Sequence, residues 1–308
     1  MPLPDYETLI DAPTWAFIRE TAHHYPQDAV GLDIAGQRAV YNGMCAAFRK
    51  PRPPGLRVQD ERIGGVPCRR YEAGPSTLTV LYFHGGGFVV GGLDSHDDVC
   101  AELCSATGLG VISADYRLAP EHLHPAAYDD VLAVAQATPG PLILAGDSAG
   151  GALAASLAHA LRRTRDLRGM LLIYPGLGGN PDRGSYLTHA DAPMLTRADT
   201  IYYRDLRHGG AAPLRDPTAA ALTDTDFTGL PPTLIVTAAC DPLSDDGRDY
   251  CEAILAAGGR AVWVEEPGLV HGYLRARHSV PRAKASFSRM IRALSAMADG
   301  APLEGEPA

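Results

Sequence analysis

One serine, Ser148, lies in the pentapeptide GDSAG at residues 146–150, between an apolar run and an alanine-rich run. The apolar run over residues 142–145 predicts a buried strand, and the alanine-rich run over residues 152–158 predicts a helix. A serine at such a junction can be an ordinary helix N-cap. It can also be the nucleophile of a G-x-S-x-G elbow, whose hydroxyl is held out on a strained turn. The order of strand, serine and helix favours the nucleophile.

A serine hydroxyl is a weak nucleophile at neutral pH and needs a base. Among the eleven histidines, His271 follows the last predicted strand and precedes a glycine, and an imidazole pKa of about 6.5 suits a base. Asp241 also follows a predicted strand, and its carboxylate would accept the Nδ1 proton of His271 and leave Nε2 facing Ser148. Asp241 could instead be a turn former, and a loop histidine is more often ordinary. Three such residues at three strand ends favour a triad.

A glycine triplet, Gly85, Gly86 and Gly87, follows the first apolar strand as part of the run HGGGF. Attack by Ser148 on an acyl carbonyl creates an oxyanion, which needs two or three fixed N–H donors. The backbone N–H of Ala149 opens a predicted helix, and Gly86 with Gly85 or Gly87 supplies the others, because glycine permits close approach. A phosphate loop is disfavoured, since the lysine of G-x-x-x-x-G-K-[ST] and a dinucleotide-binding βαβ unit are both missing.

Strand and helix patterns alternate along most of the chain. Short apolar runs predict strands at residues 78–83, 110–114, 142–145, 170–174, 233–238 and 261–265. Helical patterns occur at residues 14–22, 96–107, 126–137, 151–163, 246–257 and 281–298. This alternation predicts an α/β fold with a mostly parallel sheet covered by helices on both faces. Ligands of such sheets sit outside the carboxyl ends of the strands, where all of the candidate residues fall.

The domain organisation follows from the places where the alternation of predicted strands and helices is interrupted. A proline-rich stretch after residue 50 separates an N-terminal segment, residues 1–50, from a main domain over residues 51–300. Residues 176–228 lack periodicity and predict an insertion over the strand ends, while residues 301–308 predict a frayed tail. We expect the two segments, 1–50 and 176–228, to form a cap. Candidate pocket residues, each equally explicable as core, are Phe88, Val89, Tyr186, Met194, Tyr202 and Leu206.

Composition narrows the class of protein. The 308 residues are 46% hydrophobic and 20% charged, and the net charge of −9 includes no long run of like charge, which disfavours nucleic acid and anionic membrane as partners. No stretch approaches 18 uninterrupted apolar residues, and the first residues lack a secretory signal, so we expect a cytoplasmic protein. Six cysteines in this length predict no disulfide framework, and Cys100 and Cys104 lack partners for a metal site.

Five ordered motifs carry a resemblance that spans residues 78–294: YFHGGGFVVGGLDSHDDVC, ISADYRLAPEHLHPAAYDD, AGDSAGG, LPPTLIVTAACDPLSDDGRDY and PGLVHGY. Together they resemble the bacterial hormone-sensitive-lipase-like esterases. The resemblance implies an α/β-hydrolase fold with a helical cap, and the chain order serine, aspartate, histidine agrees with it. It implies Ser148, Asp241 and His271 as the triad, HGGG and Ala149 as the oxyanion hole, and scaffolding roles for Asp115, Tyr116, Arg117 and Glu121.

The resemblance also implies an activity. It predicts a serine carboxylesterase that hydrolyses short- to medium-chain acyl esters without a cofactor or metal. Ala239-Cys240 and Leu269-Val270 depart from the family's usual residues and leave the acyl or alcohol preference open. An amidase, a thioesterase or a lipase could use the same triad, and a non-catalytic ligand-binding protein could use the same fold. Expected partners are a small ester substrate and, as a second candidate, another copy of the chain.

Overall fold

The computed structural model describes residues 4–213 and 215–306. One eight-stranded sheet runs in the order β1-β2-β4-β3-β5-β6-β7-β8. Its strands are β1 (Arg57–Ile63), β2 (Val66–Glu72), β3 (Thr79–Phe83), β4 (Gly110–Ala114), β5 (Leu142–Asp147), β6 (Leu167–Ile173), β7 (Thr233–Cys240) and β8 (Ala261–Val270). In this order, every pairing from β4 to β8 is parallel. The two pairings at the other end of the sheet, β1 with β2 and β2 with β4, are antiparallel. The mostly parallel sheet is thus confirmed.

The β1–β2 hairpin is absent from the sequence prediction. Gly64 and Gly65 form its two-residue connection with φ values of 59° and 86°, the left-handed conformations that tight hairpin turns require. Strand β1, with the sequence RVQDERI, is polar and mostly exposed. Its hydrophobic pattern is therefore too weak to reveal a strand.

Helices cover both faces of the sheet, as predicted. The ten α-helices of the described residues are α1 (Tyr6–Leu9), α2 (Ala12–His24), α3 (Ile34–Phe48), α4 (Asp97–Thr107), α5 (Ala126–Ala137), α6 (Ala149–Leu161), α7 (Ser185–Thr188), α8 (Arg197–His208), α9 (Ser244–Ala256) and α10 (Pro281–Asp299). Buried residues of α4 and α10 pack on one face, and those of α5, α6 and α9 on the other. Successive β3 side chains alternate between the two cores, so both faces are buried and the strand is continuously apolar.

A third, smaller apolar cluster joins α3 and α8 above the strand ends. Tyr41 and Met44 of α3 pack there with Val89 and Val90, and Tyr203 and Leu206 of α8 pack against them. Helix α8 lies within residues 176–228, which are predicted to lack periodicity, but its sequence RADTIYYRDLRH is strongly amphipathic. It begins at a capping box formed by Thr196 and Asp199, and it ends at a left-handed Gly209.

The C-terminal residues differ from the predicted frayed tail. Leu303 is only 4% exposed and belongs to the core that includes α10. Glu306 pairs with Arg260 across the end of the sheet. Apolar burial and an ion pair therefore fix the chain as far as residue 306, and the prediction is wrong for residues 301–306. Residues 307–308 lie outside the described part of the chain.

Candidate active site

The turn after β5 holds Ser148 in a strained conformation. Its φ of 52° and ψ of −117° are sparsely populated for any residue with a side chain. The Ser148 N–H donates to the Ile173 carbonyl at 2.8 Å, which anchors the turn to β6. Although Ser148 occupies the N-cap position of α6, its side chain makes no capping hydrogen bond. The ordinary N-cap interpretation is therefore wrong, and the hydroxyl is available for other contacts.

The glycines beside Ser148 are required by close backbone packing. A Cβ at Gly150 would overlap the carbonyl oxygen of Phe83 in β3, and a Cβ at Gly146 would overlap the backbone of Gly150. Side chains at these two positions would push α6 away from the sheet. The G-x-S-x-G spacing therefore lets the turn pack tightly between two strands.

Asp241 and His271 lie at the carboxyl ends of the last two strands and meet Ser148. The Ser148 Oγ is 2.9 Å from His271 Nε2, and His271 Nδ1 is 2.7 Å from Asp241 Oδ2. Asp241 is 1% exposed, and its Oδ1 also accepts the Leu243 N–H at 2.9 Å. Asp241 therefore caps the turn through Leu243, as in the alternative interpretation, and also contacts His271. This geometry can deprotonate the hydroxyl and orient the base.

The glycine loop after β3 adopts left-handed backbone conformations, with φ values of 121° at Gly86, 60° at Gly87 and 67° at Phe88. Within the described residues, the N–H groups of Gly86, Gly87 and Ala149 form no hydrogen bond, so they can receive an oxyanion. The Gly85 N–H differs, because it donates to Asp147 Oδ1 at 3.0 Å. Gly85 is therefore not a free donor here, which corrects the expectation that it belongs with the other two.

His84 stabilises the glycine loop through a hydrogen bond to its backbone. Its Nδ1 lies 2.7 Å from the Gly85 carbonyl oxygen, and its ring stacks on Tyr116 with 4.3 Å between centroids. The Tyr116 hydroxyl donates to the His84 carbonyl at 2.6 Å. Burial, together with the nearby His96, lowers the pKa of His84 to about 4. His84 is therefore neutral at neutral pH and holds the loop as a fixed hydrogen-bonding group.

The six candidate pocket residues fall into two groups. Val89 is fully buried in the cluster of α3 and α8, and the hydroxyl of the buried Tyr186 donates to Asp246 Oδ2 at 3.2 Å. These two are core residues in the structure. The remaining four are part-exposed and lie on the glycine loop or in the cap segment: Phe88, Met194, Tyr202 and Leu206.

Helix α8 sits directly on the glycine loop. A Cβ at Gly87 would lie 2.6 Å from the Tyr203 ring, and the Arg207 guanidinium stacks 3.7 Å from the centre of the Phe88 ring. Burial lowers the pKa of Arg207 to about 10, so the residue stays cationic at neutral pH. Neither Tyr203 nor Arg207 is predicted from sequence, because no motif distinguishes them, although the amphipathic pattern of residues 197–208 is a signal for the helix that carries both.

The sequence also raises the questions of a metal site, a membrane-spanning helix and disulfide bonds. Among the described residues, no group of three or more histidine, cysteine, aspartate or glutamate side chains has a metal-binding arrangement. Across the same part of the chain, no helix combines the length and apolar character needed to cross a membrane. All six cysteines are buried, and none forms a disulfide.

Several known proteins with similar sequences or structures are named as esterases. The model of a family described as having the alpha/beta hydrolase fold matches residues 80–275. Esterase LipI of Mycobacterium tuberculosis is 38% identical over 309 residues, which cover 89% of this chain and 93% of that protein. Carboxylesterase NlhH of the same species is 36% identical over 270 residues, covering 78% and 83%. A thermostable esterase from Pseudomonas putida superposes with a TM-score of 0.86 at 26% identity, covering 94% of this chain and 98% of the other.

Proposed function

Because the chain belongs to the α/β-hydrolase fold family, we propose that it is a serine carboxylesterase that hydrolyses short- to medium-chain acyl esters. The observation that carries the proposal is the continuous contact from Ser148 Oγ to His271 Nε2 at 2.9 Å, and from His271 Nδ1 to Asp241 Oδ2 at 2.7 Å. Relatives named esterase and carboxylesterase support ester hydrolysis as the reaction.

The first half of the reaction acylates Ser148. His271 Nε2 accepts the hydroxyl proton while Ser148 Oγ attacks the ester carbonyl carbon, and Asp241 stabilises the imidazolium that forms. The carbonyl oxygen becomes an oxyanion beside the N–H groups of Gly86, Gly87 and Ala149, which are fixed in place before the charge develops. His271 then gives its proton to the leaving alcohol, and the acyl group remains on Ser148.

The second half releases the acid. Water takes the place of the alcohol, His271 accepts one of its protons, and the resulting attack forms a second oxyanion at the same N–H groups. Collapse of that intermediate breaks the bond to Ser148, whose oxygen recovers the proton from His271. The chain's own residues therefore supply every proton transfer that ester hydrolysis requires.

The proposed acyl-chain range is supported by the packing of α8. Tyr203 lies against Gly87, and Arg207 lies over Phe88, so the cap closes one side of the glycine loop. A long acyl chain would have to displace this packing, whereas an acetyl or butyryl group needs little room. We therefore expect activity to be highest with short acyl chains.

The test is hydrolysis of p-nitrophenyl esters from acetate to palmitate by the wild type, Ser148→Ala and Ser156→Ala. Ser156 is a buried serine of the same helix α6 and provides the matched control. Ser148→Ala should lower kcat by roughly 10,000-fold or more, while Ser156→Ala should retain wild-type rates. Activity that survives in Ser148→Ala would overturn the assignment of the nucleophile. A folded wild type that is inactive on all of these esters would instead direct the search to amides and thioesters.

A further inference from the structure

A buried carboxylate, Asp147, directly precedes the proposed nucleophile and is bound from three separate elements. It accepts the Tyr82 hydroxyl of β3 at 2.8 Å and the Gly85 N–H at 3.0 Å, and His96 Nε2 lies 3.2 Å away. Asp147 is 3% exposed. A buried carboxylate costs free energy unless such hydrogen bonds offset its lost hydration, so these contacts favour a single position for it.

The ionised form of Asp147 is the one that this environment favours. Burial alone would raise the pKa of the carboxyl group. The neighbouring His96, the Tyr82 hydroxyl and the charge of Arg275 outweigh that effect and hold the pKa well below its usual value. The hydrogen bond from Gly85 is therefore a charge-assisted one, which is stronger than a bond between neutral groups.

The bond to Asp147 fixes the peptide group that carries the next donor. Gly85 is held at both ends, its N–H by Asp147 and its carbonyl oxygen by His84 Nδ1 at 2.7 Å. Because a peptide group is planar, the direction of the Gly85 carbonyl determines the direction of the Gly86 N–H. A Cβ at Gly85 would overlap Asp147 Oδ2, so the loop lies against the carboxylate without a gap.

The loop needs such support, because Phe88, which follows two glycines at positive φ, has a φ of 67°, a conformation that is strained for a residue with a side chain. Strained conformations persist only where the surroundings hold them. We propose, on the basis of the serine carboxylesterase function proposed above, that Asp147 is a positioning residue that sets the oxyanion N–H groups relative to Ser148. One side chain, a single residue from the nucleophile, thereby links the two halves of the active site.

The test is Asp147→Ala, which removes the carboxylate oxygen that accepts both the Tyr82 hydroxyl and the Gly85 N–H. Loss of a single oxyanion donor costs roughly 100- to 1,000-fold in kcat. A displaced donor should cost less, so we expect kcat to fall about 10- to 100-fold with KM nearly unchanged. A trifluoromethyl ketone forms an oxyanion on the serine and mimics the transition state. Its inhibition constant should therefore rise in parallel with the fall in kcat.

The inhibition constant separates positioning from general destabilisation, because a smaller folded fraction lowers the apparent kcat but leaves that constant unchanged. The matched control is Asp130→Ala. Asp130 is a buried carboxylate of α5 that accepts the Arg117 backbone N–H at 2.8 Å and makes no contact with the glycine loop among the bonds of the described residues. This control should keep both kcat and the inhibition constant.

Each outcome decides between the proposals. A folded Asp147→Ala with wild-type kcat and inhibition constant would overturn the positioning role while leaving the esterase function intact. A wild type without Ser148-dependent esterase activity would overturn the function itself. Should Asp147→Ala fail to fold, Tyr82→Phe, which removes one donor to the same carboxylate, decides the question. A parallel change of a few-fold in kcat and inhibition constant would support positioning, and no change in either would overturn it.

Discussion

The edge of the sheet that holds the proposed triad is built in a different way from the proposed cap, residues 1–50 and 176–228. At the edge, Ser148, Asp241, His271 and the glycine loop each follow directly on a parallel strand, β5, β7, β8 and β3. The cap instead depends on side chains far apart in the chain, such as Tyr6 with His189 and Gln37 with Tyr202. A substitution at the edge should therefore change the chemistry by orders of magnitude, whereas one in the cap should change stability or substrate range by smaller amounts.

After the loss of the Ser148 hydroxyl, the largest effect should come from a substitution at the edge that barely changes the shape of the side chain. In Asp241→Asn, the amide oxygen would keep the Leu243 N–H bond and the amide N–H would face His271 Nδ1. His271 would then carry its proton on Nε2 and could not accept one from Ser148. We expect kcat on p-nitrophenyl acetate to fall about 1,000- to 10,000-fold, with little change in the urea midpoint. A variant that retains a tenth of the wild-type kcat would show that Asp241 does not orient the base.

A smaller, geometric effect is expected at Gly150. The added Cβ of Gly150→Ala would meet the Phe83 carbonyl, so the turn that carries Ser148 must move. A misplacement of about 1 Å can cost roughly 100-fold in rate, and we expect a loss of at least that size in kcat. Near-wild-type activity in a folded variant would contradict the tight packing of this turn. The measurement is steady-state kinetics, with circular dichroism to establish the fold.

The contrast between edge and cap also explains how much the sequence predicts. Strand-end residue types suffice to predict that Ser148, Asp241 and His271 meet, because parallel strands deliver their carboxyl ends to one edge. The HGGG motif likewise predicts a loop with free N–H donors. The motif does not predict that the Gly85 N–H donates a hydrogen bond to Asp147, because Asp147 lies 62 residues further along the chain.

The cap is much harder to predict. Helix α8 occurs among glycine, proline and charged residues, and its contacts with Val89 and Gly87 are long-range. The polar β1 strand, RVQDERI, and the buried Leu303 are missed as well. Helix α8 has local signals, a capping box and an amphipathic face, that its glycine- and proline-rich surroundings obscure. The β1 strand and Leu303 instead owe their structure to distant neighbours more than to their own local pattern. Tertiary context of this kind overrides local propensity.

The junction between core and cap should respond to pH. Asp246 of α9 is buried, and its Oδ2 accepts the N–H groups of residues 177–179 and the Tyr186 hydroxyl. Burial raises the pKa of Asp246 from 3.8 to about 7, although these donors lower it. Between these two pH values the folded protein retains a proton that the unfolded chain releases. The contribution to stability is therefore complete below about pH 4 and is lost as the pH rises through 7.

Asp246→Asn tests this pH dependence, because the amide mimics the neutral acid and does not titrate. From urea unfolding, the free energy of the wild type relative to Asp246→Asn should fall by about 2 to 3 kcal/mol between pH 5 and pH 8. A difference that is constant with pH would show that Asp246 is ionised throughout. Activity per folded molecule should change little, since Asp246 does not touch the proposed triad.

The smallest effect should come from Gly43→Ala in α3, which also sharpens the comparison with Gly150. Gly43 is exposed within a helix, and an added Cβ would meet nothing within 4 Å. Alanine restricts the unfolded chain more than glycine does, so the variant should be more stable by about 0.5 to 1 kcal/mol in urea unfolding. Its kcat and acyl-chain profile should match those of the wild type. A shifted chain-length profile would mean that α3 influences the acyl site, and the separation between edge chemistry and cap stability would then fail at this helix.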